Sequence, residues 1–223
     1  MDLLEAVKTR KSIREFKKDP VPQEILKKVL ETAITAPSAM NTQPWEFLVV
    51  TGKAIDTIRQ GNVEKLNKAT MPNPEHSAAT WSSDSIYRKR QVDLAKHIFT
   101  IMDIKRTDKN KRTQWMERGF RFFDAPAAII ILVDKILSES IALMDIGAVM
   151  QNICLAAMHF GLGTCIENQC ILYPEEIRKA VNVPESKNIT VAIAIGYPDW
   201  DSPANKIKSS RESIEKNTCW FGF

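Results

Sequence analysis

Apolar positions recur along this chain with two periods. From Gln23 to Thr35, the residues Ile25, Leu26, Val29, Leu30, Ala33 and Ile34 return every three or four positions, which predicts an amphipathic helix stopped by Pro37. The same period predicts helices over Leu3–Val7, from about Lys53 (Ile55, Ile58, Val63, Leu66), and from Pro174 through Ile177 and Val181. Glu46–Thr51 and Ala127–Val133 are short continuous apolar runs, expected as strands, the second buried on both faces. In Ile189–Ile195, the large residues Ile189, Val191, Ile193 and Ile195 alternate with Thr190, Ala192 and Ala194. That is a strand with a large and a small face. Cys165-Ile166-Glu167-Asn168 reads as a further short strand or turn, after Gly161-Leu162-Gly163-Thr164 ends the preceding helix.

Two stretches depart from these patterns. Ser138–Phe160 is apolar nearly all round (Ile141, Leu143, Met144, Ile146, Val149, Met150, Ile153, Leu155, Met158), so such a helix needs cover on every side. In a chain this short, a subunit interface is the natural cover. Its Asp145, Asn152 and His159 recur every seven residues and form a narrow polar seam, expected to hold structural hydrogen bonds. The second stretch, 71–123, opens with a long loop carrying Pro72, Pro74, Ser77, Thr80, Ser82 and Ser83. It continues into two helices, the second over about Lys109–Phe122, that mix charge with aromatics. This excursion is either a solvated helical hairpin or a lid over a site.

Composition narrows the class. The 223 residues, 44% hydrophobic and 26% charged, fit a single domain over 1–223 with an excursion at 71–123 and a C-terminal arm at 199–223. A net charge of +4 suits an anionic small molecule, and no long basic tract argues for nucleic acid. The four cysteines form no C-x-x-C pair and the three histidines are dispersed, which argues against a metal site. Acids follow Met1 where a signal peptide carries cations, and the run Ala125–Val133 is too short for a bilayer. A reduced, cytoplasmic protein with no membrane partner is expected. The tail ends on Trp220-Phe221-Gly222-Phe223, aromatics that predict an arm docked on something.

Chemistry concentrates in Thr9–Phe16, where Arg10, Lys11 and Arg14 surround Ser12 at a helix C-terminus. Guanidinium forks and a hydroxyl suit phosphate oxygens, although basic residues also cap helix ends. Four other segments line up behind it in order. They are Pro37-Ser38-Ala39-Met40-Asn41-Thr42-Gln43-Pro44-Trp45, Gly161–Asn168, Ile195-Gly196-Tyr197-Pro198, and Lys208-Ser209-Ser210-Arg211.

Together with Arg10-Lys11-Ser12-Ile13-Arg14, this order and spacing resembles the FMN-dependent nitroreductase family over nearly the whole chain. The resemblance implies an α+β fold, with a mixed, largely antiparallel sheet wrapped by helices in an intertwined homodimer with FMN at the interface. It implies that Arg10 and Ser12 meet the phosphate and ribityl end of FMN, that Lys11 is among the cofactor-binding residues, and that Arg14 meets the pyrimidine edge of the flavin. Lys208 and Arg211 would close on the phosphate, with Lys206 an alternative to Lys208. Pro37, Ser38, Ala39 and Asn41 would reach the flavin from the second subunit. Ile166, Glu167 and Asn168 would lie along the ring, a backbone N–H directed at N5; Glu167 is expected to be structural rather than a general acid. Asn168 stands where many members have glycine, and no proline follows Arg211.

The implied activity is ping-pong transfer from NADH or NADPH to a nitroaromatic, quinone or related planar acceptor. Reductive dehalogenation, FMN breakdown and flavin binding without turnover are the alternatives. No protein residue is expected to be catalytic in its own right, since the flavin carries the electrons. Tyr87, Arg88, Arg90, Trp115 and Arg118 of the excursion are the expected acceptor contacts.

Overall fold

The computed structural model describes residues 2–76, 80–137 and 139–223. Met1, Ser77 and Ser138, which the sequence places before the first helix, in the proline-rich loop and at the head of the apolar helix, lie outside them. Four strands, β1 (Trp45–Thr51), β2 (Ala127–Asp134), β3 (Gly163–Glu167) and β4 (Lys187–Gly196), form one sheet in the order β1-β2-β4-β3. Every pair is antiparallel, so the expected mixed sheet carries no parallel strand pair. Parallel pairing among the described residues is confined to one bridge, between Ser12 and Thr164.

Helices cover both faces. They are α1 (Leu3–Thr9), α2 (Gln23–Ala33), α3 (Gly52–Asn67), α4 (Ile86–Ile101), α5 (Lys109–Phe120), α6 (Glu139–His159), α7 (Pro174–Ala180) and the short α8 (Ile214–Asn217). On one face Ile129, Ile131, Val191, Ile193 and Ile195 meet Leu26 and Val29 of α2 and Ile146, Val149 and Ile153 of α6. On the other, Ala128, Ile130, Ala192 and Ala194 meet Ile55 and Ile58 of α3, Ile177 of α7 and Phe122. Both faces of β2 are buried, as its continuous apolar run predicts. Helix α2 ends at Ala33, short of the expected Thr35, because its last turn tightens: Thr35 N–H bonds Thr32 O at 3.4 Å, a three-residue step.

The large-and-small alternation of β4 holds only from Val191 onward. Ile131 pairs with Val191 but Leu132 pairs with Ile189, so Thr190 is the extra residue of a bulge. A one-residue slip reverses the face, which moves Ile189 to the α3 side. The bulge is held from outside: His76 Nε2 lies 3.1 Å from Thr190 Oγ1, and the Glu75 carboxylate accepts from Ile189 N–H and from Arg178 at 2.7 Å. These contacts pin the described part of the proline-rich loop to the sheet.

Helix α6 buries Ile146, Val149, Ile153 and Ala157 against the sheet and α2. Its other side stays uncovered in one chain, with Met144 70%, Ile141 45% and Leu143 38% exposed. The polar seam is structural at two of its three positions. Asp145 accepts the Ala39 N–H, Asn152 reaches Ala33 O at 3.4 Å, and His159 is exposed with its ring edge-on to Phe160.

Candidate functional site

The segment after α1 is threaded into the sheet edge. Arg10 N–H closes α1 on Ala6 O, and the chain then runs extended beside β3 and the turn after β4. Ile13 N–H donates to Thr164 O (2.9 Å) and Lys17 N–H to Tyr197 O (2.8 Å), while Ile13 and Phe16 are buried. Gly163 allows this approach, because a Cβ there would stand 2.5 Å from the Ile13 side chain and 2.7 Å from Pro198. A residue with no signal in the sequence completes the anchorage. Asn205, 1% exposed, accepts Arg14 N–H at 2.8 Å and donates to Glu15 O and Asp199 O, both at 2.7 Å; its own carbonyl accepts from Lys11 Nζ. Its partners Lys11, Arg14 and Glu15 are about 190 residues away along the chain, beyond the reach of any local pattern.

With odd residues buried or latched, Arg10, Ser12 and Arg14 share the other side of the segment. Arg10 and Arg14 are half-buried, and neither guanidinium has a hydrogen-bond or ion-pair partner among the described residues. By contrast Arg59, Arg118, Arg121 and Arg178 are all engaged by carboxylates or carbonyls. Ser12 lies beside Cys165, whose thiol burial pushes up to about 12, so that sulfur is inert. Lys11 turns the opposite way, over the Trp200 ring at 5.2 Å, its pKa lowered by burial and by nearby Lys208. Lys208 is exposed and without an ion-pair partner among the described residues; exposed Arg211 bonds only the backbone and hydroxyl of its own turn. Lys206 ends the short turn Pro203–Lys206.

Edge strand β3 adds directed backbone donors. Thr164 O faces the segment at Ile13 and therefore points away from β4; by the two-residue period, Ile166 turns its N–H to the same edge, which no strand covers. Glu167 points to the α3 side with Cys165. It is 9% exposed, and both carboxyl oxygens lack a hydrogen-bond partner among the described residues. The expected structural hydrogen bonding of Glu167 is therefore absent. Burial raises its pKa well above the usual carboxylate value, and the charge of Arg14 only partly opposes this. Asn168 follows as the cap of the turn Gln169–Ile171.

Pro37, Ser38, Ala39 and Asn41 lie elsewhere. Their loop is held to the first half of α6 by Ala39 N–H on Asp145 and is closed on itself by Gln43 N–H on Ser38 Oγ at 3.0 Å. Met40, Asn41 and Gln43 all have positive φ (51°, 59° and 46°), and Met40 is 98% exposed. Arg10, in contrast, borders Met158 near the far end of α6. Asp145 and Met158 are about 13 residues apart, roughly 20 Å at ~1.5 Å per residue. Within one chain the two parts of the expected site do not meet.

The excursion residues divide in two. Arg118 donates to Arg14 O (2.6 Å) and Glu15 (2.7 Å) and stacks on Trp115 and Phe123, and Arg90 pairs with Glu212 at 3.3 Å. Both thus tie the excursion to the site and the tail. Tyr87 is exposed, while Arg88 and Trp115 line a cleft between α4 and α5.

Two guanidiniums without hydrogen-bond or ion-pair partners among the described residues, flanking a hydroxyl and next to the strand edge to which Ile166 turns its N–H, fit a ligand with a phosphate at one end and a planar acceptor edge at the other, as FMN has. Comparison with known proteins agrees. The pattern of the "Nitroreductase family" matches residues 7–197. "Chloronitrobenzene nitroreductase" of Comamonas testosteroni is 31% identical over 96% of this chain and 94% of its own length. "Nitrobenzene nitroreductase" of Ectopseudomonas oleovorans is 32% identical over the same shares of the two chains. The solved structure of FMN-dependent nitroreductase NfnB from Mycobacterium smegmatis, in complex with NADPH, superposes with a TM-score of 0.91 at 24% identity, covering 98% of this chain and 97% of that one. From within α1 to the turn after β4, the chain belongs to the Nitroreductase family.

Proposed function

We propose that this protein is a cytoplasmic, homodimeric FMN-dependent NAD(P)H oxidoreductase that reduces small nitroaromatic acceptors in a ping-pong cycle. The observation that carries the reading is the pair Arg10 and Arg14, half-buried with guanidiniums that have no hydrogen-bond or ion-pair partner among the described residues, on the segment beside the edge of β3. Two relatives named for chloronitrobenzene and nitrobenzene supply the acceptor class. FMN, when bound, supplies the redox chemistry by accepting a hydride from the reduced nicotinamide and delivering it to the acceptor.

The chain's own residues bind and orient. Arg10, Ser12 and Lys208 or Arg211 hold the phosphate end, with Lys11 and Asn205 fixing the backbone that presents them. Arg14 places a fixed positive charge against the pyrimidine edge, where charge builds on reduction. The backbone N–H of Ile166, on the edge away from β4, and that of Asn168 in the turn would set the ring's position. Pro37, Ser38, Ala39 and Asn41 of the partner complete the pocket, which a single chain leaves about 20 Å apart. The excursion 71–123 covers it as a lid, Arg118 fastening the lid to the Arg14 backbone.

The protein should purify yellow, bleach anaerobically with NADPH or NADH, and recolour on addition of nitrobenzene. Arg10→Ala should weaken FMN binding about ten- to a hundredfold, the loss of one charge-assisted contact. Flavin that never bleaches with either donor would remove the enzymatic reading, and full FMN retention by Arg10→Ala after dialysis would move the phosphate site.

A further inference from the structure

A cleft of about 850 Å³ lies between α4 and α5, within the size of small-molecule sites. Arg88, Lys109 and Arg112 line it, and a contiguous recess shares Arg88 and Arg112 and adds Lys96 and Arg106. No carboxylate lines either space, and among the described residues none of these five cations has a carboxylate within 4 Å. Elsewhere on the excursion several cations are paired, Lys89 with Asp93, Arg90 with Glu212 and Arg121 with Asp124. The lining is aromatic, with Phe99 under the Arg112 guanidinium at 5.6 Å, and Trp115 and Phe123 6.2 Å apart at the other end.

That end adjoins the site. Arg118, which holds the Arg14 carbonyl, lies over both Trp115 and Phe123, and Gln169 on the cleft wall directly follows Asn168. We propose that the α4–α5 cleft is an oxyanion subsite, in which Arg112, Lys109 and Arg88 bind a carboxylate or phosphate carried by the substrate over the flavin while the aromatic walls hold its planar part. The proposal rests on the oxidoreductase reading above and sharpens it: the preferred substrates are anionic. Arg88, Lys109 and Arg112 are exposed, and Arg88 donates to Gln91 and Arg112 to Arg106 O, but they border a concave space with apolar walls and no carboxylate, and a guanidinium can bind an oxyanion there with two parallel hydrogen bonds.

Two sources of the oxyanion are open, the acceptor and the donor, because a ping-pong site takes both in turn. The test uses the FMN-loaded protein with Arg112→Ala, Lys109→Ala and Arg112→Lys, each checked for parental FMN content. Titration calorimetry with benzoate against benzamide reads charge-dependent binding without turnover. Initial rates compare 4-nitrobenzoate with nitrobenzene, and NADPH with NADH. Arg112→Ala should weaken benzoate about tenfold and leave benzamide within twofold, with Arg112→Lys in between. A fall of similar size in the nitrobenzoate-to-nitrobenzene ratio of kcat/KM assigns the carboxylate. A fall in the NADPH-to-NADH ratio assigns the donor phosphate. Parental benzoate affinity and parental ratios in both alanine variants would overturn the subsite. Benzoate binding that depends on Arg112 in a protein that reduces no acceptor would instead overturn the enzymatic reading and leave the subsite standing.

Discussion

Glu167 is a carboxyl with 9% exposure and no hydrogen-bond partner among the described residues. An ionised group in that position is disfavoured, so the folded chain holds this proton to a higher pH than the unfolded chain does. In the unfolded chain the same side chain titrates near pH 4.3. Between that value and the raised folded value, the folded state binds more protons than the unfolded state, so stability falls as pH rises, by up to about 1.4 kcal/mol per pH unit. Glu167→Gln removes the titration. The stability of the variant relative to the parent should therefore grow with pH from 5 to 8, read from urea midpoints of FMN-free protein. A difference independent of pH across that range would show that Glu167 is ionised when folded.

Among elements, the join between α5 and β2 is the most constrained. Phe122, Phe123 and Asp124 are consecutive and all left-handed, with φ of 57°, 50° and 57°. Each costs roughly 1–2 kcal/mol relative to ordinary backbone, so the surroundings must hold the turn. Arg121 does so through both oxygens of Asp124, at 2.8 and 2.9 Å, which keeps that carboxylate below its usual pKa although burial acts to raise it. Arg59 braces the turn from α3, donating to Arg121 O at 3.0 Å and to Ala125 O. Arg59→Ala should cost about 2–3 kcal/mol, two hydrogen bonds from a charged donor to carbonyls of this turn. Because Phe123 packs on Trp115, the tryptophan emission should shift as well. A cost below about 0.5 kcal/mol in urea denaturation would mean that the turn holds itself.

At the scale of the whole molecule, the uncovered side of α6 and the separated halves of the site call for the same remedy. A second copy would cover Ile141, Leu143 and Met144 and bring its 37–41 loop to the first copy's Arg10 and Arg14. The wild type should run at about twice 25.3 kDa by light scattering at micromolar concentration. Met144→Glu places an unpaired charge in that interface and should produce monomer with lowered FMN content. Ile153 is unsuitable for this test, because it is fully buried within its own chain and a charge there would unfold the protomer. A flavin-loaded wild-type monomer would refute the dimeric site. The terminal Trp220, Phe221 and Phe223, at 67%, 85% and 102% exposure, have no cover in their own chain either.

What the sequence determined by itself was local. Period and punctuation place the helices and the strands β1, β2 and β4 to within a few residues, because apolar spacing and proline act through neighbouring positions. The motif order, from Arg10 to Arg211, carries the family, because each motif is a short contiguous run. Tertiary structure decided everything that depends on residues far apart in the chain. The bulge at Thr190 reverses Ile189 because a neighbouring strand imposes the register. Asn205 becomes the latch of the site because folding brings it to Arg14, with nothing around it in the sequence to mark it. The cations of the excursion look alike in sequence, and only packing separates Arg90 and Arg118, consumed by Glu212 and Glu15, from Arg88, Lys109 and Arg112, left facing an acid-free cleft. A charge is defined by its residue, but its availability is defined by what lies within a few ångströms of it.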